Sequence, residues 1–263
     1  MAADKLSHAL VALRGIPVFM YHDLCAGAAS GDRYTVPLAL FQRHLAFLRQ
    51  QHFTVTNLAS LAGARHTRSV VLTFDDGLAR QYELAFAALQ SHGMTATFFV
   101  STSLVGLPGY MSWSQLREMQ AAGMTIGSHG DRHIHYTGLT LPQAEAELRR
   151  SRIVMEDALG QPAVAFSAPY GFIHHALVSA ARRAGFQQIC TSLPWLADAT
   201  GESIPRLAVY NRTELAEFSA LALRSAGPIL ARRTRNALLH LPKQFLLHVW
   251  PQRLGVSVGE GAK

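Results

Sequence analysis

Charge is scarce in this chain. Of its 263 residues, 16% are Asp, Glu, Lys or Arg, while 49% are hydrophobic. Disorder needs the reverse balance, so the bulk of the chain is expected to fold, and its length suffices for one large core. Cysteine is nearly missing. Cys25 and Cys190 lie far apart with no ligand-like spacing, and they are read as reduced thiols serving as small apolar residues. Long apolar runs are absent, and nothing approaches the roughly 18–20 residues that a membrane-spanning helix requires. Near the N-terminus the unbroken apolar run covers residues 9–13 and stops at Arg14. A secretory core needs about 7–15 apolar residues, so a cytoplasmic location is the expectation. No internal repeat is visible, which excludes a solenoid.

Acid is missing from one region in particular. From Phe218 to Lys263 there are seven basic residues and one acidic one, Glu260, so this segment carries +6 of the net +7. The remainder is close to neutral and has no basic stripe, so nucleic acid is not expected as a partner. Three parts are anticipated: an extension over 1–14, a main domain over 15–225, and a basic amphipathic segment over 226–263. Within that segment Leu230, Leu238, Leu241, Phe245, Leu246, Val249 and Trp250 alternate with basic residues. Pro242 is expected to open a second short helix. The pattern fits either a helix pair at an anionic membrane face or a helix docked on the main domain.

What the chain has in plenty is alternation. Residues 15–21, 53–56, 69–74, 95–100, 124–127, 163–166 and 186–191 read as short apolar strands. Between them, 38–50, a stretch marked by Tyr82, Phe86 and Leu89, 112–122, 141–159 and 171–184 carry helical spacing. Strands alternating with helices predict a parallel sheet with helices packed outside it. The polar residues keep one phase in this pattern. His22, Asp75, Asp76, His129 and the Pro169–Tyr170 pair each follow a strand end, the rim where parallel barrels build their chemistry.

Asp75 and Asp76 end the strand over 69–74. Two adjacent carboxylates repel one another and are costly to keep ionised without a cation. Neighbouring strand residues point to opposite sides, so one can hold a metal while the other faces a substrate or water. His129 and His133 are spaced as i and i+4 after a strand, and on a helical turn both imidazoles would share one face. His135 is a nearby competitor. With one carboxylate these histidines make a two-histidine, one-carboxylate site of the kind that activates water for attack on an amide or ester carbonyl. The turn over 166–171 can offer backbone N–H groups to a developing oxyanion.

Thr73-Phe74-Asp75-Asp76-Gly77, then Ser128-His129-x3-His133, then Phe166-x-x-Pro169-Tyr170-Gly171, resemble the ordered motifs of the polysaccharide deacetylases, carbohydrate esterase family 4. The resemblance spans about residues 15–210. Ile16-Pro17-Val18-Phe19-Met20-Tyr21-His22 and Ile204-Pro205-Arg206-Leu207 look like the branch acting on exopolysaccharide or poly-N-acetylglucosamine. It implies a single-domain distorted (β/α)7 barrel and removal of acetyl groups from N-acetylated sugars, with hydrolysis of a non-sugar amide or imide, or sugar binding without catalysis, as the alternatives. It further implies Asp75 as catalytic base, Asp76, His129 and His133 as metal ligands, and the Tyr170 backbone N–H as oxyanion donor. The metal implied is zinc, with cobalt, nickel or manganese used by some members. The chain departs from the family at three places. Ser167 stands where an arginine often holds the catalytic aspartate, and Arg206 could substitute from a neighbouring strand. The Asp-x-x-Trp motif is not evident, and Trp195 is expected to line the same pocket instead. For the general acid, His240 and His248 fit Leu-x-His nominally, and His22 is the alternative.

Overall fold

The computed structural model describes residues 13–28, 31–63, 68–171, 173–198 and 203–249, with backbone alone for 62–63 and 239–249. β1 (Val18–Tyr21) leads into two short strands, β2 (Asp23–Cys25) and β3 (Thr35–Pro37), which pair only with each other. α1 (Leu38–Gln50), β4 (Thr54–Thr56) and β5 (Ser69–Phe74) follow. Then α2 (Ala87–His92), β6 (Thr97–Val100), α3 (Trp113–Ala121), β7 (Thr125–Ser128), α4 (Leu141–Leu159), β8 (Ala165–Ser167), α5 (His175–Arg183) and β9 (Gln188–Cys190) alternate. β10 (Leu207–Ala208), α6 (Leu215–Ala222) and α7 (Ala226–Val249) complete the described chain.

Seven of these strands run parallel in the order β10-β1-β5-β6-β7-β8-β9. The segment before β10 joins the two ends. Ile204 bridges Cys190 of β9, and Leu207 pairs with Phe19 of β1, so the sheet curls back on itself. This is the distorted (β/α)7 barrel expected. β4 flanks the first half of β5, and β6 the second half.

Period two along the strands divides the core into two parts. Val18, Val71, Phe99, Ala165, Cys190 and Ile204 pack together inside the curl. Alternate residues face outward to the helices, where Tyr21, Phe74 and Phe98 align in register and stack at 5.2 and 4.8 Å. Every residue of β1, β5, β6 and β8 is buried, which is why these strands read as continuous apolar runs. Gly127 is required by packing, since a Cβ there would lie 2.7 Å from the Phe99 ring. α3 and α4 begin at reciprocal caps, Ser112 with Gln115 and Thr140 with Gln143, which satisfy N–H groups the first turn leaves unpaired.

The sequence pattern missed β2, β3, β10 and α6, whose strands are only two or three residues long and held by neighbours rather than by propensity. The C-terminal expectation needs correction. α7 runs unbroken through Pro242, so no second helix starts there. Proline removes one backbone donor and strains the preceding turn, at about 3 kcal/mol, but it need not end a helix that the surrounding turns sustain. The first turns of α7 dock on the barrel. Ile229 is fully buried in the core, and Arg232 bonds Glu217 at 2.7 Å and the Ala208 carbonyl. Trp195 is half-buried beneath this helix, with the Arg233 guanidinium 4.4 Å from its ring centre. Trp250 lies outside the described residues. Among the described residues, no helix is long and apolar enough to cross a membrane.

Candidate active site

Asp75 is the first residue past β5 and shares the parity of Val71 and Thr73, so its side chain turns into the barrel. There it meets Arg206, whose Nη1 and Nη2 donate to its two oxygens at 2.6 and 2.7 Å. Arg206 is itself fully buried and held by four further contacts. Its Nε donates to the Thr191 carbonyl at 3.1 Å, Nη1 to Thr73 Oγ1 at 3.2 Å, and Nη2 to Ser167 Oγ at 2.7 Å, while the guanidinium lies 5.4 Å from the Phe99 ring centre. Ser167 Oγ donates in turn to Asp75 Oδ2 at 3.3 Å. Ser167 is thus short enough to let an arginine from the neighbouring segment reach the aspartate. Burial alone would raise the Asp75 pKa, but the Arg206 charge and hydrogen bonds outweigh it and hold the carboxyl below the usual carboxylate range.

Asp76 goes the other way. Its φ of 78° swings it out of the strand direction, and Gly77, also left-handed at 73°, lets the chain leave against Val100. Asp76 Oδ1 lies 3.3 Å from His129 Nε2 and 3.1 Å from His133 Nε2. One potential ligand atom from each of the three falls within 4.8 Å of the others. His129 Nδ1 is 2.8 Å from the Ser167 carbonyl, which carries no proton, so Nδ1 must be the donor. Nε2 of a neutral ring then presents a lone pair towards Asp76. A lone pair facing a carboxylate oxygen at 3.3 Å is unfavourable unless a proton or cation stands between them. These residues therefore fit a divalent metal, in the two-histidine, one-carboxylate set. Burial raises the Asp76 pKa, yet the histidine contacts prevail and hold it well below the ordinary range.

The expected helical turn between His129 and His133 is not what brings them together. Residues 129–135 form a loop in which Gly130 and His133 have φ of 80° and 53°. The loop is pinned from outside. Buried Asp131 accepts from Thr102 Oγ1 at 2.6 Å and pairs with Arg150 at 2.8 Å, and buried Glu147 accepts from the Arg132 backbone N–H at 2.8 Å and its Nε at 3.0 Å. His135 lies outside the cluster, stacked on Tyr170 at 3.6 Å. Five non-glycine residues among those described have positive φ, and Asp76, His133 and Tyr170 are three of them. Unfavourable backbone conformation gathered in this way is typical of sites that must hold a fixed geometry.

His22 follows β1 on the same rim. Its Nδ1 is buried without a hydrogen-bond partner, and its ring lies 4.5 Å from that of Tyr34. Burial lowers its pKa, opposed by the charges of Asp75 and Asp76. Tyr170, at the turn after β8, has its side chain exposed and its ring edge-on to His133 at 5.1 Å. His240 and His248 both fall in α7, a helix rather than a strand, and their side chains are outside the described residues. Sequence reasoning missed Gln81. Fully buried at the start of a wide π-type turn, it donates to the backbone carbonyls of His22, at 2.6 Å, and Asp75. Nothing in its sequence surroundings marks it out.

Comparison with known proteins finds the family that the sequence motifs resemble. The polysaccharide deacetylase family model matches residues 62–189. Bacillus subtilis (strain 168) YxkH, a polysaccharide deacetylase by name, is 30% identical over 188 residues, 69% of this chain and 66% of that protein. The poly-beta-1,6-N-acetyl-D-glucosamine N-deacetylase of Escherichia coli (strain K12) is 24% identical over 256 residues, and the match spans 78% of this chain but only 38% of the enzyme. Among solved structures, Streptococcus pyogenes deacetylase PplD in complex with acetate superposes with a TM-score of 0.74 at 21% identity, covering 81% of this chain and 98% of that one, which is a likeness of fold. Matched in sequence and in architecture, the chain belongs to the polysaccharide deacetylase family, carbohydrate esterase family 4.

Proposed function

We propose that this protein hydrolyses the acetamide of N-acetylated sugars, in a polysaccharide, an oligosaccharide or a lipid-linked precursor. The observation that carries the reading is the pairing of two differently held aspartates. Asp75 is locked to Arg206, while Asp76 faces His129 and His133. Asp76, His129 and His133 would hold a divalent ion, zinc before cobalt, nickel or manganese. Once bound, such an ion polarises a carbonyl and lowers the pKa of water towards about 7.

Asp75, kept ionised by Arg206, takes the proton from the attacking water. The Tyr170 backbone N–H donates to the oxyanion of the tetrahedral intermediate. His22, with an unpartnered Nδ1 on the same rim, returns a proton to the leaving amine. We also propose contact with an anionic membrane surface, supported by exposed Leu230 and Leu238 of α7 among its arginines. The test of function is acetate release from N-acetylglucosamine oligomers by the metal-loaded protein, abolished by chelation and restored by zinc. A metal-loaded protein that releases no acetate from oligomer, polymer or lipid-linked sugar would overturn the proposal.

A further inference from the structure

Beside His22 the rim carries an arginine whose charge is not matched by any carboxylate among the described residues. The backbone register sets it there. β3 pairs with β2 so that Thr35 lies opposite Asp23, which places Tyr34 level with His22 and Arg33 one position before it. β10 pairs with β1 so that Ala208 lies opposite Met20, which brings Tyr210 to the same level from the other side. The two loops are tied together, with the Asn211 N–H donating to the Arg33 carbonyl at 2.9 Å and Asn211 Nδ2 donating to the Asp32 carbonyl at 3.0 Å.

The side chains then form a short stack leading away from the metal site. The rings of His22 and Tyr34 are 4.5 Å apart, and those of Tyr34 and Tyr210 are 5.5 Å apart. The Arg33 guanidinium lies over both tyrosines, 4.7 and 4.5 Å from their centres. Its Nη2 donates to the Tyr34 hydroxyl at 2.8 Å and the Tyr210 hydroxyl at 3.2 Å. Arg33 is exposed, and among the described residues no carboxylate forms an ion pair with it. Asp32, the nearest acid in sequence, is engaged by the Tyr34 N–H and the Thr35 hydroxyl. The neighbouring Arg232, also close to Tyr210, is committed to Glu217.

An arginine side chain normally keeps considerable rotamer freedom, and giving that up for two neutral hydroxyls returns little by itself. What the arrangement achieves is presentation. Nη2 is anchored, and Nη1 and Nε, which diverge on either side of Cδ, are left as single charged donors beside the catalytic rim. A charged N–H held in place in this way suits a single carboxylate or phosphate oxygen.

We propose that Arg33, fixed by Tyr34 and Tyr210, is a substrate-recognition residue that binds an anionic group carried next to the reacting N-acetyl sugar. This rests on the reading of the neighbouring metal site as the deacetylation centre. The anion would be either a phosphate at the reducing end of the sugar or the carboxylate of an adjoining uronic acid. A glucosamine residue already freed of its acetyl group, being cationic, is disfavoured at this position.

The experiment measures binding rather than turnover, so it separates this inference from the proposed activity. Calorimetric affinities of the metal-loaded, full-length protein are compared for N-acetylglucosamine 1-phosphate, for a glucuronic acid–N-acetylglucosamine disaccharide, and for neutral N-acetylglucosamine disaccharide. One of the two anionic ligands should bind about tenfold or more tightly than the neutral one, as one charge-assisted contact supplies. Which of the two does so identifies the source of the anion. In Arg33→Gln that ratio should collapse towards one, and in Arg33→Lys, which keeps the charge but loses the planar guanidinium anchored on the two tyrosines, it should fall part of the way. Tyr34→Phe and Tyr210→Phe, which free the guanidinium while keeping the rings, should lower it by a few-fold, and they serve if Arg33→Gln fails to fold. A wild-type ratio near one, or a ratio that survives in Arg33→Gln, overturns the assignment. Preferential binding of the anionic sugar without acetate release would sink the proposed activity and leave the recognition site standing.

Discussion

Arg206 closes on Asp75 with both terminal nitrogens, 2.6 and 2.7 Å from the two carboxylate oxygens, in a place where neither side chain touches bulk water. A pair so buried stabilises little relative to two apolar residues, but removing one partner strands the other. Arg206→Gln is therefore expected to cost about 3–5 kcal/mol of stability and most of the turnover. It should leave the metal in place, because Asp75 is not among the three converging ligands. Thermal melting, acetate release and metal content, measured together, check this. Normal turnover in Arg206→Gln would show that Asp75 does not depend on its partner.

The metal cluster makes a sharper distinction between the two aspartates. Asp76→Asn, His129→Ala and His133→Ala should each lose bound metal, while Asp75→Asn should keep it and lose turnover. The loop carrying His133 leans on Glu147, so Glu147→Gln is expected to weaken metal binding by about tenfold through misplacement of a ligand. Competition with a chelator of known affinity gives these values. Full metal content in His133→Ala would move the ligand role to His135, which in this structure stacks on Tyr170 instead.

Buried His44 sets a pH dependence of stability. Its Nε2 donates to the Thr213 carbonyl at 3.0 Å, its Nδ1 accepts from the Tyr21 hydroxyl at 3.0 Å, and its ring stacks on Phe218 at 4.0 Å. Burial lowers its pKa from 6.5 to about 4. Between those values the unfolded chain takes up a proton that the folded chain refuses. Stability is thus full above about pH 6.5 and declines as pH falls towards 4, by about 3 kcal/mol at most from this group. His44→Phe should be less stable at neutral pH, having stranded two polar partners, but flatter across this window. Denaturant unfolding at pH 7, 5.5 and 4.5 tests it, and an unchanged slope in the variant would assign the dependence elsewhere.

The C-terminal helix divides into a docked part and a remainder. Removing everything from residue 226 takes away Ile229 and Arg232 and should lower the melting temperature markedly, because a fully buried isoleucine and a hydrogen-bonded arginine are lost together. Removing residues 239–263 should leave the barrel folded. If the helix also meets an anionic surface, the whole chain sediments with anionic vesicles, less so as salt rises, and replacing exposed Leu230 and Leu238 by serine weakens that sedimentation. Sedimentation that ignores salt, or none at all, removes the membrane contact from the proposal.

Much of this protein was legible in the sequence, and for a physical reason. Buried parallel strands must be continuously apolar, so residues 69–74 and 97–100 declare themselves, as do helices such as residues 38–50 with one apolar face. The polar residues that interrupt this pattern at strand ends, Asp75, Asp76 and His129, declare the rim in the same way. What depended on the tertiary structure was the approach of groups distant in the chain. Arg206 reaches Asp75 across 131 positions because Ser167 leaves room for it and the Ile204–Ala208 segment closes the barrel beside β1. The pattern placed His129 and His133 on a helical turn. Instead, a loop pinned by Asp131 and Glu147 brings them to Asp76, since buried hydrogen bonds from other elements outweigh local preference. Gln81 and Arg33 carry no local signal at all. Their roles arise only once the fold has set carbonyls, or tyrosine rings, around side chains that the sequence leaves looking ordinary.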